Sequence, residues 1–319
     1  MPSEKENKTI LIDDYTIKPG ENKLVKINIA RLPTGTLIDI PVHVFNSKKA
    51  GPTILIQAGL HGDEINGVEI LRRMLHQNLF DIKKGAIIVV PIVNVFGFIH
   101  FSRDVPDGKD VNRSFPGRKT GSLASRIAHH YTTQILSHVD YAIDLHTGGA
   151  QRHNYPQVRF TEEDDKGKAL AEMFHAPFCF ASRLIPGSFR KTTFKMGIPT
   201  LVFEGGESMR FDEQVIYSGI QGIQNVLVGL KMVSKTGKSK KGKTVLLEKR
   251  RWIRASKSGM FVPNVLNGSR VDKGQELGVI VDTFAKKNRR IRAPFEGYIF
   301  CVNHQAVVNQ GDALFHMGT

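Results

Sequence analysis

The stretch AGLHGDEINGVEILRRM, Ala58 to Met74, sets His61 and Glu64 three residues apart where an apolar run gives way to a helix-like pattern. Imidazole and carboxylate are donors of a catalytic zinc. The H-x-x-[DE] spacing alone decides little, because 12 His and 30 acidic residues over 319 positions give about one match by chance. Context adds more. His61 falls at the end of TILIQAGL, and Glu64 falls in the first turn of the following helix, where free amides and the helix dipole favour a carboxylate. His146 ends YAIDLH before TGG, at the same kind of strand end, and open α/β sheets bind ligands beyond the carboxyl ends of their strands. Two His and one Glu, with the third ligand remote in sequence, leave a catalytic zinc a fourth position for water. The competing reading is a Glu helix cap with two polar turn residues.

The runs that must position these residues, TILIQAGL, GAIIVVPIVN, VDYAIDLHTG and IPTLVFEGG, are short and continuously apolar. They alternate with helical patterns over Asn66 to Asn78 and Ser122 to Ser137. Strands buried on both faces and separated by helices predict an α/β fold, with a mixed, mostly parallel sheet and flanking helices, over residues 51–233. Residues 1–50 read as an N-terminal β lead-in packed on that catalytic domain. A linker is expected over 234–247, because SKTGKSKKGK is almost without apolar residues. Residues 248–319 carry a weak repeat in which Val271, Gly274 and Leu277 match Val308, Gly311 and Leu314. This two-half pattern resembles the small β-sandwich or barrel of biotinyl and lipoyl carrier domains. The intervening DTFAKKNRR lacks the Met-Lys-Met that such carriers modify, so Lys286 and Lys287 are expected to carry no prosthetic group. Packing, oligomerisation or shaping of the cleft is the expected role.

Composition limits the alternatives. With 40% hydrophobic residues, 319 positions can bury a sizeable core. The polar start MPSEKENKTI and the lack of a long apolar run predict a soluble, cytoplasmic protein without a membrane span. Cys179 and Cys301 lie far apart in apolar segments and are expected to be buried free thiols. The net charge of +15 is concentrated between Lys231 and Arg292, where 18 basic residues stand against 4 acidic ones. That stretch reads as a solvated basic face or an acidic-partner surface. Nucleic acid is disfavoured, since aromatics do not interleave with the basic run, and neither GGES nor HTGG has the G-x-x-x-x-G-K-[ST] spacing of a phosphate loop.

The ordered segments HGDEINGVE, NVFGFIHFSRDVPDGKDVNRSFPG, DLHTGG and VFEGG, spanning about Ile54 to Gly206, resemble the successive motifs of the succinylglutamate desuccinylase and aspartoacylase family, relatives of zinc carboxypeptidases. The resemblance implies one zinc per chain held by His61, Glu64 and His146. It also implies that Asp110, in DVNR, orients a ligand histidine through its second ring nitrogen. Asp144, two residues before His146 and on the same face of the strand, competes for that role.

By the same resemblance Glu204 is the base that takes a proton from the metal-activated water and returns it to the leaving amine. Apolar walls are expected to raise its proton affinity. Glu207 is the alternative, otherwise a surface loop acid. Arg103 matches the family's oxyanion-stabilising arginine. Asn112 and Arg113 match the carboxylate-binding pair, and Arg159 could add a further anion contact. Together these imply an N-acyl-amino-acid deacylase acting on a small carboxylate-bearing substrate. Alternatives are a zinc carboxypeptidase and a non-enzymatic binding protein using the basic C-terminal region. A homo-oligomer is compatible with the sequence.

Overall fold

The computed structural model describes residues 5–234, 243–284 and 288–319. Residues 235–242 of the expected linker, together with Lys286 and Lys287, lie outside the described residues.

Patterning decides where each strand sits. After the small hairpin of β1 (Ile10–Ile12) and β2 (Tyr15–Ile17), β3 (Asn22–Arg31) and β4 (Leu37–Asn46) are long strands with one buried face, as their alternating sequences require. The apolar runs behave differently. β5 (Thr53–Gln57), β6 (Ala86–Val90), β7 (Tyr141–Gly148) and β10 (Thr200–Glu207) are buried on both faces. Between β7 and β10 lie β8 (Arg152–Phe160) and β9 (Phe178–Ala181). Strands β6, β5, β7 and β10 form a parallel centre, with β4 and β3 added antiparallel at one edge and β8 antiparallel on β10.

Helices α1 (Ile65–His76), α4 (Asp165–Phe174) and α6 (Glu213–Gly229) contribute to one apolar core. The short α2 (Val95–His100), with α3 (Leu123–Gln134) and α5 (Phe189–Lys195), contributes to another. The fold is therefore mixed α/β with flanking helices, as the alternation of runs predicted. Helix α1 lies close on the sheet because Gly67 faces it: a Cβ there would stand 2.7 Å from Leu145 Cβ and 3.0 Å from Ala58 Cβ. A larger residue would push the start of α1, and Glu64 with it, away from His146.

The C-terminal strands are β11 (Val245–Leu246), β12 (Arg250–Arg254), β13 (Gly259–Pro263), β14 (Arg270–Val271), β15 (Glu276–Val281), β16 (Asn288–Arg292), β17 (Gly297–Asn303), β18 (Val307–Val308) and β19 (Ala313–Gly318). Strands β16, β15, β13 and β18 make a separate antiparallel sheet. Strand β17 pairs with β8, so β17, β19 and β12 continue the central sheet. Phe261, Leu277 and Ile280 share a core with Ile299, Phe315 and Met317, giving a sandwich. The repeat noted in sequence corresponds to β14–β15 and β18–β19. Gly274 and Gly311 take left-handed φ of 84° and 94° in the two equivalent turns. Cys179 and Cys301 are buried free thiols, each pushed by burial up to about 12. Among the described residues, no helix is long and apolar enough to cross a membrane.

Candidate metal centre and cavity

Glu64 occupies the N-cap position of α1, yet its side chain makes no capping bond. It reaches to both histidines instead. Glu64 Oε1 lies 2.8 Å from His61 Nδ1, and Oε2 lies 2.8 Å from His146 Nδ1. The Thr147 amide also donates to Oε2 at 3.1 Å. His146 sits two residues inside the end of β7 rather than at it. Parallel pairing of β5 with β7 brings the two strand ends together, and one donor atom from each of the three residues lies within 4.8 Å of the others.

The outer ring nitrogens also face carboxylates. Asp144 Oδ2 is 2.8 Å from His146 Nε2, while Asp110 Oδ1 is 3.4 Å from His61 Nε2, which is buried without a hydrogen bond. The two aspartates, weighed as rivals from sequence, thus each serve a different histidine. Gln57 donates to Asp144 at 2.9 Å and in turn accepts from Tyr131 at 2.5 Å, fixing that carboxylate from behind.

His61, Glu64 and His146 are 3–5% exposed, so their charges must be compensated within the protein. Burial opposes charge on His61, but Glu64 and Asp110 hold it above its ordinary value. For His146, Asp144 and Glu64 outweigh burial and raise it well above. Burial would also raise Glu64, yet the two imidazoles bring it well below. As it stands, each imidazole needs protons facing carboxylates on both sides. A divalent cation between the Nδ1 atoms and Glu64 would replace the inner protons and leave each Nε2–H to donate outward. The donor set fits a metal, and by type it suits zinc.

A cavity of about 290 Å³ opens on this cluster. Arg103 lines it, donating from Nε and Nη2 to Asp110 Oδ2 at 3.1 and 2.9 Å, with Nη1 3.6 Å from Glu64 Oε1. Asn112 and Arg113 line it too. The Asn112 side chain accepts from the Phe189 amide at 2.9 Å, tying the loop to α5. The Arg113 side chain is 43% exposed and, among the described residues, makes a local bond to the Asn112 carbonyl and a 3.8 Å contact with Asp110, which leaves much of its guanidinium open to an incoming anion.

Glu204 departs from expectation. Instead of apolar walls it has two donors, Arg159 at 2.8 Å from Oε1 and Asn154 at 2.8 Å from Oε2. Arg159 is accordingly an internal partner of Glu204 as well as a cavity-lining cation. Glu207 is no surface acid: it is 7% exposed, bonds His304 at 2.8 Å and does not line the cavity.

Asn154, Arg152, Arg190 and Trp252 line the cavity and were missed in the sequence. Arg190 spends its donors on Ser182 and the Phe160 and Arg183 carbonyls, and burial, followed by Arg159, lowers it to about 10. Asn154 shares a strand with Arg159, but strict alternation would put the two on opposite faces; a register shift on β8 lets both meet Glu204. Trp252 comes from β12, where nothing local marks it.

Behind Trp252 lies His316, which burial, with Arg159 and Arg250, lowers to about 3. Its folded value is below its unfolded one. The stability it contributes is therefore full above about pH 6.5 and is lost on acidification towards 3. Between pH 7 and 4.5 this loss should be about 2–3 kcal/mol. His316→Phe should reduce the pH dependence of the urea midpoint accordingly; an unchanged dependence would show that His316 is readily protonated in the fold.

The profile of the succinylglutamate desuccinylase/aspartoacylase catalytic domain matches residues 50–230, and the chain belongs to that family. The chain is 27% identical over 296 residues to the N-alpha-acetyl-L-2,4-diaminobutyric acid deacetylase of Halomonas elongata, covering 86% of this chain and 84% of that one. The product-bound ectoine utilization protein EutE (DoeB) of Ruegeria pomeroyi superposes with a TM-score of 0.83 at 24% identity, over 99% of both chains. A succinylglutamate desuccinylase/aspartoacylase from Rhodobacter sphaeroides gives 0.80 at 24% identity, over 93% of this chain and 95% of that one.

Proposed function

We propose that the chain is a zinc-dependent amidohydrolase that removes the acyl group from a small N-acyl amino acid or a related carboxylate-bearing amide. The observation that carries this reading is the convergence of His61, Glu64 and His146, each histidine backed by its own aspartate, on a cavity that also holds Glu204 and the guanidinium of Arg113. Family membership and the deacetylase relative support the reaction class.

His61, Glu64 and His146 would hold the zinc. When bound, it supplies a Lewis acid that polarises the scissile carbonyl and acidifies water. Arg113, with Asn112, anchors the substrate carboxylate and so fixes the amide relative to Glu204. Arg103, held by Asp110, presents Nη1 towards the ligand cluster, where it stabilises negative charge developing on the carbonyl oxygen. Glu204 accepts the proton of the attacking water and delivers it to the leaving nitrogen. Asn154 keeps that carboxylate aimed, while Arg159 holds its other oxygen and contributes positive potential for anionic substrates. The size of the cavity supports a small substrate over a peptide, being at the lower end of small-molecule sites.

The test is amine release from a panel of N-acyl amino acids and matched amides lacking the carboxylate. Arg113→Ala should raise KM about 10- to 100-fold for the carboxylate-bearing members, the cost of a charge-assisted contact, with little change in kcat. An unchanged KM would remove Arg113 as the anchor. Release from peptides alone would favour the carboxypeptidase reading.

A further inference from the structure

The cavity wall is not supplied by the family's catalytic segment alone. In strand register Trp252 pairs with His316, His316 with Cys301 and Cys301 with Asn154, whose amide holds Glu204. This row covers three inter-strand steps, about 14 Å of sheet. The indole lies flat on His316, with centroids 4.1 Å apart and planes 13° off parallel, and His316 packs against Phe300 at 4.3 Å. The ring is thereby fixed from behind. Cys301, Val202 and Ile185 also line the cavity and add apolar surface to it. Arg159 and Arg250 both lie over Phe180, at 5.5 and 4.5 Å, so a cationic group near this wall would meet like charge.

We propose that Trp252 is a specificity-determining residue, its indole forming the far wall of the cavity and receiving an uncharged planar or aliphatic arm of the substrate. The proposal rests on the deacylase reading and gives the C-terminal strands a part in substrate choice. The arm belongs either to the acyl group or to the amino-acid side chain. In both cases it extends several bonds beyond the scissile amide.

Two series separate these sources: N-acetyl, N-butyryl and N-hexanoyl alanine, and N-acetyl alanine, norleucine and phenylalanine. For the series that reaches the wall, Trp252→Ala in the zinc-loaded enzyme should collapse the long-to-short ratio of kcat/KM by about tenfold or more, through KM. Trp252→Phe, which keeps a flat ring, should retain most of that ratio. Trp252 is also the chain's single tryptophan, so its fluorescence reports the contact directly. In zinc-loaded Glu204→Gln protein, long-arm compounds should change the emission saturably. Equal losses across both series, or no emission response to any long arm, would overturn the proposal. An emission response in a protein whose wild type hydrolyses none of the compounds would retain the Trp252 contact and remove the deacylase reading.

Discussion

Glu204→Gln should lower kcat by about 10²- to 10⁴-fold, the usual contribution of a positioned general base, while the bound zinc remains. The substitution preserves shape and leaves an amide oxygen to accept from Asn154, which contacts Glu204 at 2.8 Å. It removes the uptake and return of a proton, which an amide cannot supply. It also unpairs Arg159, so part of any change in KM belongs to that guanidinium. The two effects separate in the kinetics. Loss of the base appears in kcat, whereas a freed Arg159 changes KM for anionic substrates. Turnover within a few-fold of wild type, with zinc still present, would remove Glu204 as the base and direct attention to another carboxylate.

The second large effect concerns the metal. Wild-type protein should carry about one zinc per chain after dialysis, and a His61→Ala, Glu64→Ala double variant should carry essentially none. The double variant is preferable to Glu64→Ala alone. Removing only Glu64 would leave two imidazoles with centroids 4.9 Å apart and no anion between them, confounding metal loss with destabilisation. With His61 also gone, His146 keeps Asp144 at 2.8 Å and the remaining charges stay paired. Metal analysis beside thermal unfolding of chelator-treated wild type separates loss of the ion from loss of the fold. A wild type that takes up no divalent metal, even when zinc is supplied, would refute the site.

Much of the catalytic region was legible because its signals are local. Continuous apolar runs marked the doubly buried strands, and helical periodicity over 66–78 and 122–137 located α1 and α3 to within a few residues. His61 and Glu64 are separated by one turn of chain, so their meeting needed little beyond the strand–helix junction. The position of Asp144 two residues before His146 was enough to put it on that histidine's face. Expectations that depended on longer-range contacts fared differently. Glu204 lies three residues inside the end of β10, among neighbours the sequence did not predict, since Arg159 and Asn154 come from an antiparallel strand with a register shift. Glu207 looked like a loop acid until His304, almost a hundred positions later, was found against it.

By itself the sequence determined the α/β class, the family motifs and the identity of the three candidate metal donors, because strand burial, helix periodicity and i,i+3 spacing are written within a few residues. Only the tertiary structure decided which aspartate backs which histidine, what holds Glu204, and that Trp252 lines the cavity. Those outcomes depend on pairing register between strands distant in the chain. A one-residue slip reverses the face of every side chain on a strand, so no local pattern specifies them.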